Sequence, residues 1–162
     1  NSGFGNLARN DVDLYPAAKR AEIDAFNERI YPNLNNGVYR AGFATTQIAY
    51  EEAFADVFNC LDWVAPQLEG RSFLFADHPT EADIRLFVTL VRFDAAYHGL
   101  FKCNLRRVSD YPALKAFCRR MLDWPGVAAT VNIDHIKRGY YSIEKLNPTR
   151  IVLVGPDLAE IF

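Results

Sequence analysis

The chain has 162 residues, half of them hydrophobic and 14% aromatic, and a net charge of −2. That is enough apolar material for one domain with a sizeable core, and it excludes a disordered chain. The near-neutral charge, with Arg106-Arg107 and Arg119-Arg120 as isolated basic pairs, speaks against a nucleic-acid binder, and no apolar run nears the ~20 residues that span a bilayer.

Residues 1–14 are polar and rich in Gly and Asn, as in a linker or arm, and the remainder, 15–162, reads as nearly all helix. The chain begins at Asn1 rather than Met, and it is expected to be the remainder of a longer product. Pro16 is placed like a first-turn proline, and Ile23, Phe26, Ile30 and Leu34 repeat along one face of a first helix. Pro32 should bend it, and Asn35-Asn36-Gly37 should end it in a left-handed cap. A second helix is predicted from about Thr45 to Glu69, with Tyr50, Phe54, Val57, Phe58, Leu61, Ala65 and Leu68 as its apolar stripe and Gly70 just past its end. Residues 71–79 form a connection with Phe73-Leu74-Phe75 extended and packed inward. The third helix runs from Thr80 to about Leu100, with Ile84, Phe87, Val88, Val91 and Ala95 facing the core. A fourth begins after Ser109 or Asp110, is lined by Leu114, Phe117, Cys118 and Met121, and stops at Trp124-Pro125-Gly126. Short helices follow near Val127–Val131 and through Ile133–Ser142. From Asn147-Pro148 an extended tail leads to Phe162, and its Val152-Leu153-Val154 should cover something apolar, either this domain or a partner.

Thr80-Glu81-Ala82-Asp83 has the spacing of a reciprocal N-cap, in which the Thr80 hydroxyl serves the amide at 83 and the Asp83 carboxylate serves the amide at 80. This gives Thr80 and Asp83 a structural role, with a cost of about 1–2 kcal/mol for Asp83→Ala. The cysteines Cys60, Cys103 and Cys118 are odd in number and widely spaced, so neither a disulfide framework nor a zinc site is expected, and a reducing, cytoplasmic setting fits. No H-E-x-x-H pattern joins His78, His98 and His135, and no metal site is expected. A reactive thiolate needs a helix N-terminus or a nearby cation. Cys60 and Cys118 lie mid-helix, and Cys103 follows Lys102 in a turn but has no His or Asn placed to activate it. No catalytic nucleophile is therefore expected in this chain.

The most specific strings are Asn35-Asn36-Gly37-Val38-Tyr39-Arg40-Ala41-Gly42-Phe43-Ala44-Thr45-Thr46-Gln47, Arg92-Phe93-Asp94-Ala95-Ala96-Tyr97, Phe101-Lys102-Cys103-Asn104, His135-Ile136-Lys137-Arg138 with Tyr140-Tyr141, and Asn147-Pro148-Thr149-Arg150-Ile151-Val152. Together they resemble the helical C-terminal half of the Xi-class glutathione transferases, the glutathionyl-hydroquinone reductases. The capping box and the pattern Tyr111-Pro112-Ala113-Leu114 … Pro125-Gly126-Val127 resemble features of glutathione transferases at large. The resemblance runs from Asp13 to Pro156. It departs at Gly139, where a His is common, and at Leu153, where a Pro is common.

The resemblance implies an all-α, glutathione-transferase C-terminal-like helical bundle with an extended tail. It implies that Tyr39, Tyr97 and Tyr140 line the pocket for the quinone-derived part of the substrate, with Tyr141 an alternative to Tyr140. Neutral phenols aimed at one substrate oxygen would stabilise charge growing there, and their rings would stack on an aromatic substrate. Without the resemblance, each tyrosine would read as a core residue. Arg40, Arg92, Asp94 and Lys102 read as structural charges with partners elsewhere. The implied activity is removal of glutathione from glutathionyl-hydroquinones, giving hydroquinone and glutathione disulfide. Glutathione and the nucleophilic cysteine would be held mainly by a thioredoxin-like N-terminal domain absent from this chain, and the protein would be a homodimer. The alternatives are a free-standing binding or assembly module without catalysis, or conventional glutathione conjugation.

Overall fold

The structure is a computed structural model that describes residues 12–161, so most of the arm expected over 1–14 lies outside the described residues. Among the described residues the regular structure is entirely helical. Seven α-helices run in order: α1 Arg20–Ile30, α2 Gly37–Gly42, α3 Gln47–Val64, α4 Glu81–Arg92, α5 Pro112–Asp123, α6 Ile133–Tyr141 and the short α7 Leu158–Ile161. They close around one core of Ile, Leu, Val and Phe side chains drawn from α1, α3, α4 and α5. No helix among the described residues is long and apolar enough to cross a membrane.

The join between α1 and α2 differs from the sequence expectation. Asn35-Asn36-Gly37 makes no left-handed cap; Asn36 stays in the right-handed region, with φ −88° and ψ −25°. The chain passes instead through a π-helical turn, Tyr31–Asn35, closed by the Asn36 amide donating to the Tyr31 carbonyl at 2.8 Å. The wider turn accommodates Pro32, which has no amide to donate. Asn35 then donates to the Arg85 carbonyl at 2.9 Å and the Thr89 hydroxyl at 2.6 Å, tying this turn to α4. Tyr39 consequently sits inside a helix rather than past the end of one.

α3 starts at Thr46, whose hydroxyl accepts from the Ala49 amide at 3.2 Å. It stops at Val64 and tightens into a 3₁₀ turn over Ala65–Leu68, because Pro66 cannot donate to the α-ladder. Gly70 follows with φ +68°, the left-handed residue expected there. Phe73 and Leu74 are buried, and Phe75 packs half-buried against them.

The buried Asp83 carboxylate organises the start of α4. It accepts from the Thr80 amide at 2.8 Å, the Thr80 hydroxyl at 2.6 Å and the Leu74 amide at 2.9 Å. The cap therefore holds the 71–79 connection as well as the helix. Burial pushes the Asp83 carboxyl above its ordinary range, and the donors act against that. Two of the expected core residues of α4 are not in the core: Ile84 is 38% and Val88 41% exposed. The helix is turned so that Ala82, Leu86, Phe87, Leu90 and Val91 are buried, and 84, 88 and 92, each four apart, form a separate stripe. After Arg92 a second π turn, Phe93–Tyr97, closes with the His98 amide on the Phe93 carbonyl at 2.8 Å. Within it the buried Asp94 accepts from the Val108 and Ser109 amides at 2.7 and 3.1 Å.

The tail after Asn147 has no regular structure until α7, whose Ile161 is buried. Within this domain Leu153 comes up beside Gly99, whereas Val154 is 98% exposed.

Two stability predictions follow from this packing. Asp83→Ala leaves three buried donors without an acceptor and should cost about 3 kcal/mol, more than the loss of a cap alone, as read from a urea melt. At Gly42 an added Cβ would lie 2.2 Å from the Phe101 ring; Gly42→Ala should cost about 1–3 kcal/mol in the same assay, the scale of overpacking.

Candidate functional site

Three phenols from distant parts of the chain meet at one point. The Tyr39 hydroxyl lies 2.8 Å from that of Tyr140 and 3.4 Å from that of Tyr97, and the Tyr97 and Tyr140 hydroxyls are 2.6 Å apart. Tyr39 comes from α2, Tyr97 from the π turn after α4, and Tyr140 from the last turn of α6. Tyr97 is buried, Tyr140 half-buried and Tyr39 36% exposed, so the cluster runs from core to surface. Tyr141 is not part of it: its ring is buried and its hydroxyl has no hydrogen-bond partner among the described residues.

Phe101 is the common support. Its ring meets Tyr39, Tyr97 and Tyr140 edge-on, at centroid distances of 5.4, 5.2 and 5.7 Å. Phe101 holds its place because Gly42 lets it approach α2, and because the Tyr50 hydroxyl donates to the Lys102 carbonyl at 2.7 Å. Lys102 itself turns the chain with φ +63°, a conformation unusual for a residue with a side chain.

Burial pushes the Tyr97 and Tyr140 phenols up, Tyr140 to about 12, and their hydrogen bonds to the neighbouring phenols add to the rise at Tyr97. Both are neutral donors at pH 7. Each hydroxyl carries one proton and either partner can donate at each contact, so the two short contacts use two of the three protons and one is left for the long contact or for a ligand.

The cluster opens onto a groove of about 530 Å³ between α4 and α6, walled by Phe87, Val88, Val91, Ile136 and Ile143, with Asn132 and His135 at its polar edge. A second recess of about 440 Å³ lies on the other side, toward Tyr31 and Arg85. Tyr39, Val88, Arg92 and Tyr140 line both. An apolar slot ending in a few converging hydroxyls suits a planar aromatic ring with an oxygen on it.

Of the charges read as structural, Arg40 pairs with Asp56 at 2.8 Å on the surface, and Asp94 binds loop amides. Arg92 differs: among the described residues it has no ion pair, and its guanidinium donates to the Val88 carbonyl one turn back. Val88 and Arg92 were legible together as residues four apart on one face, but Val88 reads as core and Arg92 as paired when each is taken alone.

All three cysteines are free and buried. Burial pushes the Cys60 thiol to about 11 and the Cys103 thiol to about 12, and raises Cys118 well above the usual thiol range. No cluster of His, Cys, Asp and Glu among the described residues is arranged to hold a metal ion.

Residues 47–120 match the family model "Glutathione S-transferase, C-terminal domain". Residues 47–120 carry that C-terminal helical domain. It is 56% identical over 157 residues to the glutathionyl-hydroquinone reductase PcpF of Sphingobium chlorophenolicum, covering 96% of this chain and 50% of that protein. It is 47% identical over 157 residues to the glutathionyl-hydroquinone reductase YqjG of Escherichia coli, covering 96% of this chain and 48% of that protein. Among solved structures, the crystal structure of glutathione transferase Xi 1 from Trametes versicolor superposes with a TM-score of 0.94 at 46% identity, over 100% of this chain and 57% of that one. The glutathione-bound structure of YqjG superposes with a TM-score of 0.92 at 47% identity, over 97% of this chain and 51% of that one. The glutathione-transferase domain thus spans about half the length of the curated relatives it matches.

The burial of the thiols makes a direct prediction. A colourless aromatic disulfide or iodoacetamide at pH 8 should modify none of Cys60, Cys103 and Cys118 in the native protein and all three in urea, as mapped by peptide mass spectrometry.

Proposed function

We propose that this chain is the substrate-pocket and dimerisation domain of a glutathione-dependent reductase that removes glutathione from glutathionyl-hydroquinones. The observation that carries this reading is the convergence of the Tyr39, Tyr97 and Tyr140 hydroxyls, 2.6 to 3.4 Å apart, at the end of an apolar groove. The similarity to proteins named glutathionyl-hydroquinone reductase supports it.

The groove takes the ring. A thiolate attacks the sulfur of the glutathionyl group, forming an S–S bond and breaking the C–S bond. Cleavage proceeds from the keto tautomer, in which the hydroxyl proton has moved to the ring carbon that bears sulfur, so the electron pair of the broken bond passes into the ring as it becomes aromatic again and leaves its charge on the ring oxygen, which then takes a proton. A second glutathione resolves the mixed disulfide, so the products are hydroquinone and glutathione disulfide. The tyrosines contribute where the charge grows. Tyr39, the most exposed of the three, donates to the ring oxygen, and Tyr97 and Tyr140 polarise it from behind.

The thiolate is assigned to a thioredoxin-like domain outside this chain, which would also hold most of the glutathione. The three thiols here are buried and held protonated, which supports placing it elsewhere. Free cysteines also agree with a reducing, cytoplasmic setting.

In the full-length protein, Tyr39→Phe should lower kcat for a glutathionyl-hydroquinone about 10-fold or more while the protein's melting temperature stays near wild type. Unchanged turnover would remove Tyr39 from the mechanism.

A further inference from the structure

Arg92 occupies a place that the three tyrosines do not explain. It is the last residue of α4, directly before the π turn that carries Tyr97. Arg92 is half-buried and lines both the groove and the second recess, as Tyr39 and Tyr140 do. A guanidinium has five N–H donors. The partner this structure gives it is the Val88 carbonyl, and no carboxylate lies within ion-pair reach among the described residues. The neighbouring cation on the same helix is already committed, since Arg85 pairs with Glu81 at 2.6 Å. Asp94, two residues on, faces away and binds the Val108 and Ser109 amides.

A half-buried cation without a counter-ion is costly where water is being excluded, and a ligand that brings a negative charge relieves the cost. Arg92 also acts on the tyrosines: its charge favours ionisation at Tyr140, against the effect of burial. Neutral phenols can share a proton with a ring oxygen but cannot balance a full charge on it. Arg92 can.

We infer that Arg92 is a specificity-determining residue that binds the ionised ring oxygen of the aromatic substrate, so that the pocket selects the phenolate over the phenol. This rests on the reading of the groove as the ring site. Its geometry is suited to the task, because the planar fork of Arg holds an oxygen in a fixed direction where a Lys ammonium would not.

The test uses 4-nitrophenol, whose ionised form absorbs at visible wavelengths, titrated with pH in the presence of the full-length protein. The titratable and charged groups around the ligand are Tyr31, Tyr39, Tyr97, Tyr140, His135, Arg92 and the Arg85–Glu81 pair. Wild-type protein should bind the phenolate at least 10-fold more tightly than the phenol, seen as a fall of about one unit in the ligand's apparent pKa on binding. Arg92→Gln should abolish that preference while leaving the affinity for neutral nitrobenzene within 2-fold; Arg92→Lys should keep part of it, and His135→Gln should leave it unchanged. A preference that survives Arg92→Gln, or that His135→Gln removes, overturns the assignment. Equal loss of nitrophenol and nitrobenzene binding in Arg92→Gln also overturns it, as that marks a structural role. Wild-type protein that binds neither compound would instead sink the ring-site reading itself, and this assignment with it.

Discussion

The fold depends on how the ends of α4 are tied down. At its start, one buried carboxylate, Asp83, satisfies donors from Thr80 and from Leu74 of the preceding connection. At its end, the buried Asp94 takes two amides from the loop that leads to α5. Each acid replaces water for backbone groups that would otherwise be orphaned in the core. Both are structural, yet the functional surface follows from them. With the helix fixed in rotation and length, Val88 and Arg92 face the groove and Tyr97 is delivered at the turn beyond.

The two π turns serve the same end. A π turn adds a residue to the helical repeat and so rotates everything after it. The first sets α2 so that Tyr39 turns toward α4, and the second brings Tyr97 beneath it. Tyr140 arrives from α6, 43 residues beyond Tyr97 and 101 beyond Tyr39. Three segments so distant in sequence keep hydroxyls within hydrogen-bond distance because they share one rigid neighbour, Phe101. That ring is fully buried, wedged against a glycine and pinned by Tyr50 through the Lys102 carbonyl.

Much of this was legible in the sequence. The apolar periods of α1, α3 and α5 gave their buried faces, since 3.6-residue spacing leaves little freedom once a helix is amphipathic. What escaped was local geometry that periodicity does not encode. Asn35-Asn36-Gly37 has the composition of a helix stop, but tertiary bonds from Asn35 to α4 keep the chain helical there. Ile84 and Val88 are as apolar as core residues, and only the packing of α4 shows which of its two apolar stripes is covered. The tyrosines were assigned through family strings rather than spacing, because no rule of sequence brings residues 39, 97 and 140 together. Arg92 was passed over because a lone arginine on a helix looks paired until the surroundings are known.

Gly139 lies on α6 at the wall of the groove. An added Cβ there would meet nothing within 4 Å, whereas at Gly42 it would strike Phe101. The two glycines therefore differ in kind. One is a keystone of the packing, and the other borders open space in the groove. Groove width is consequently a variable that can drift or be engineered at one residue without disturbing the core.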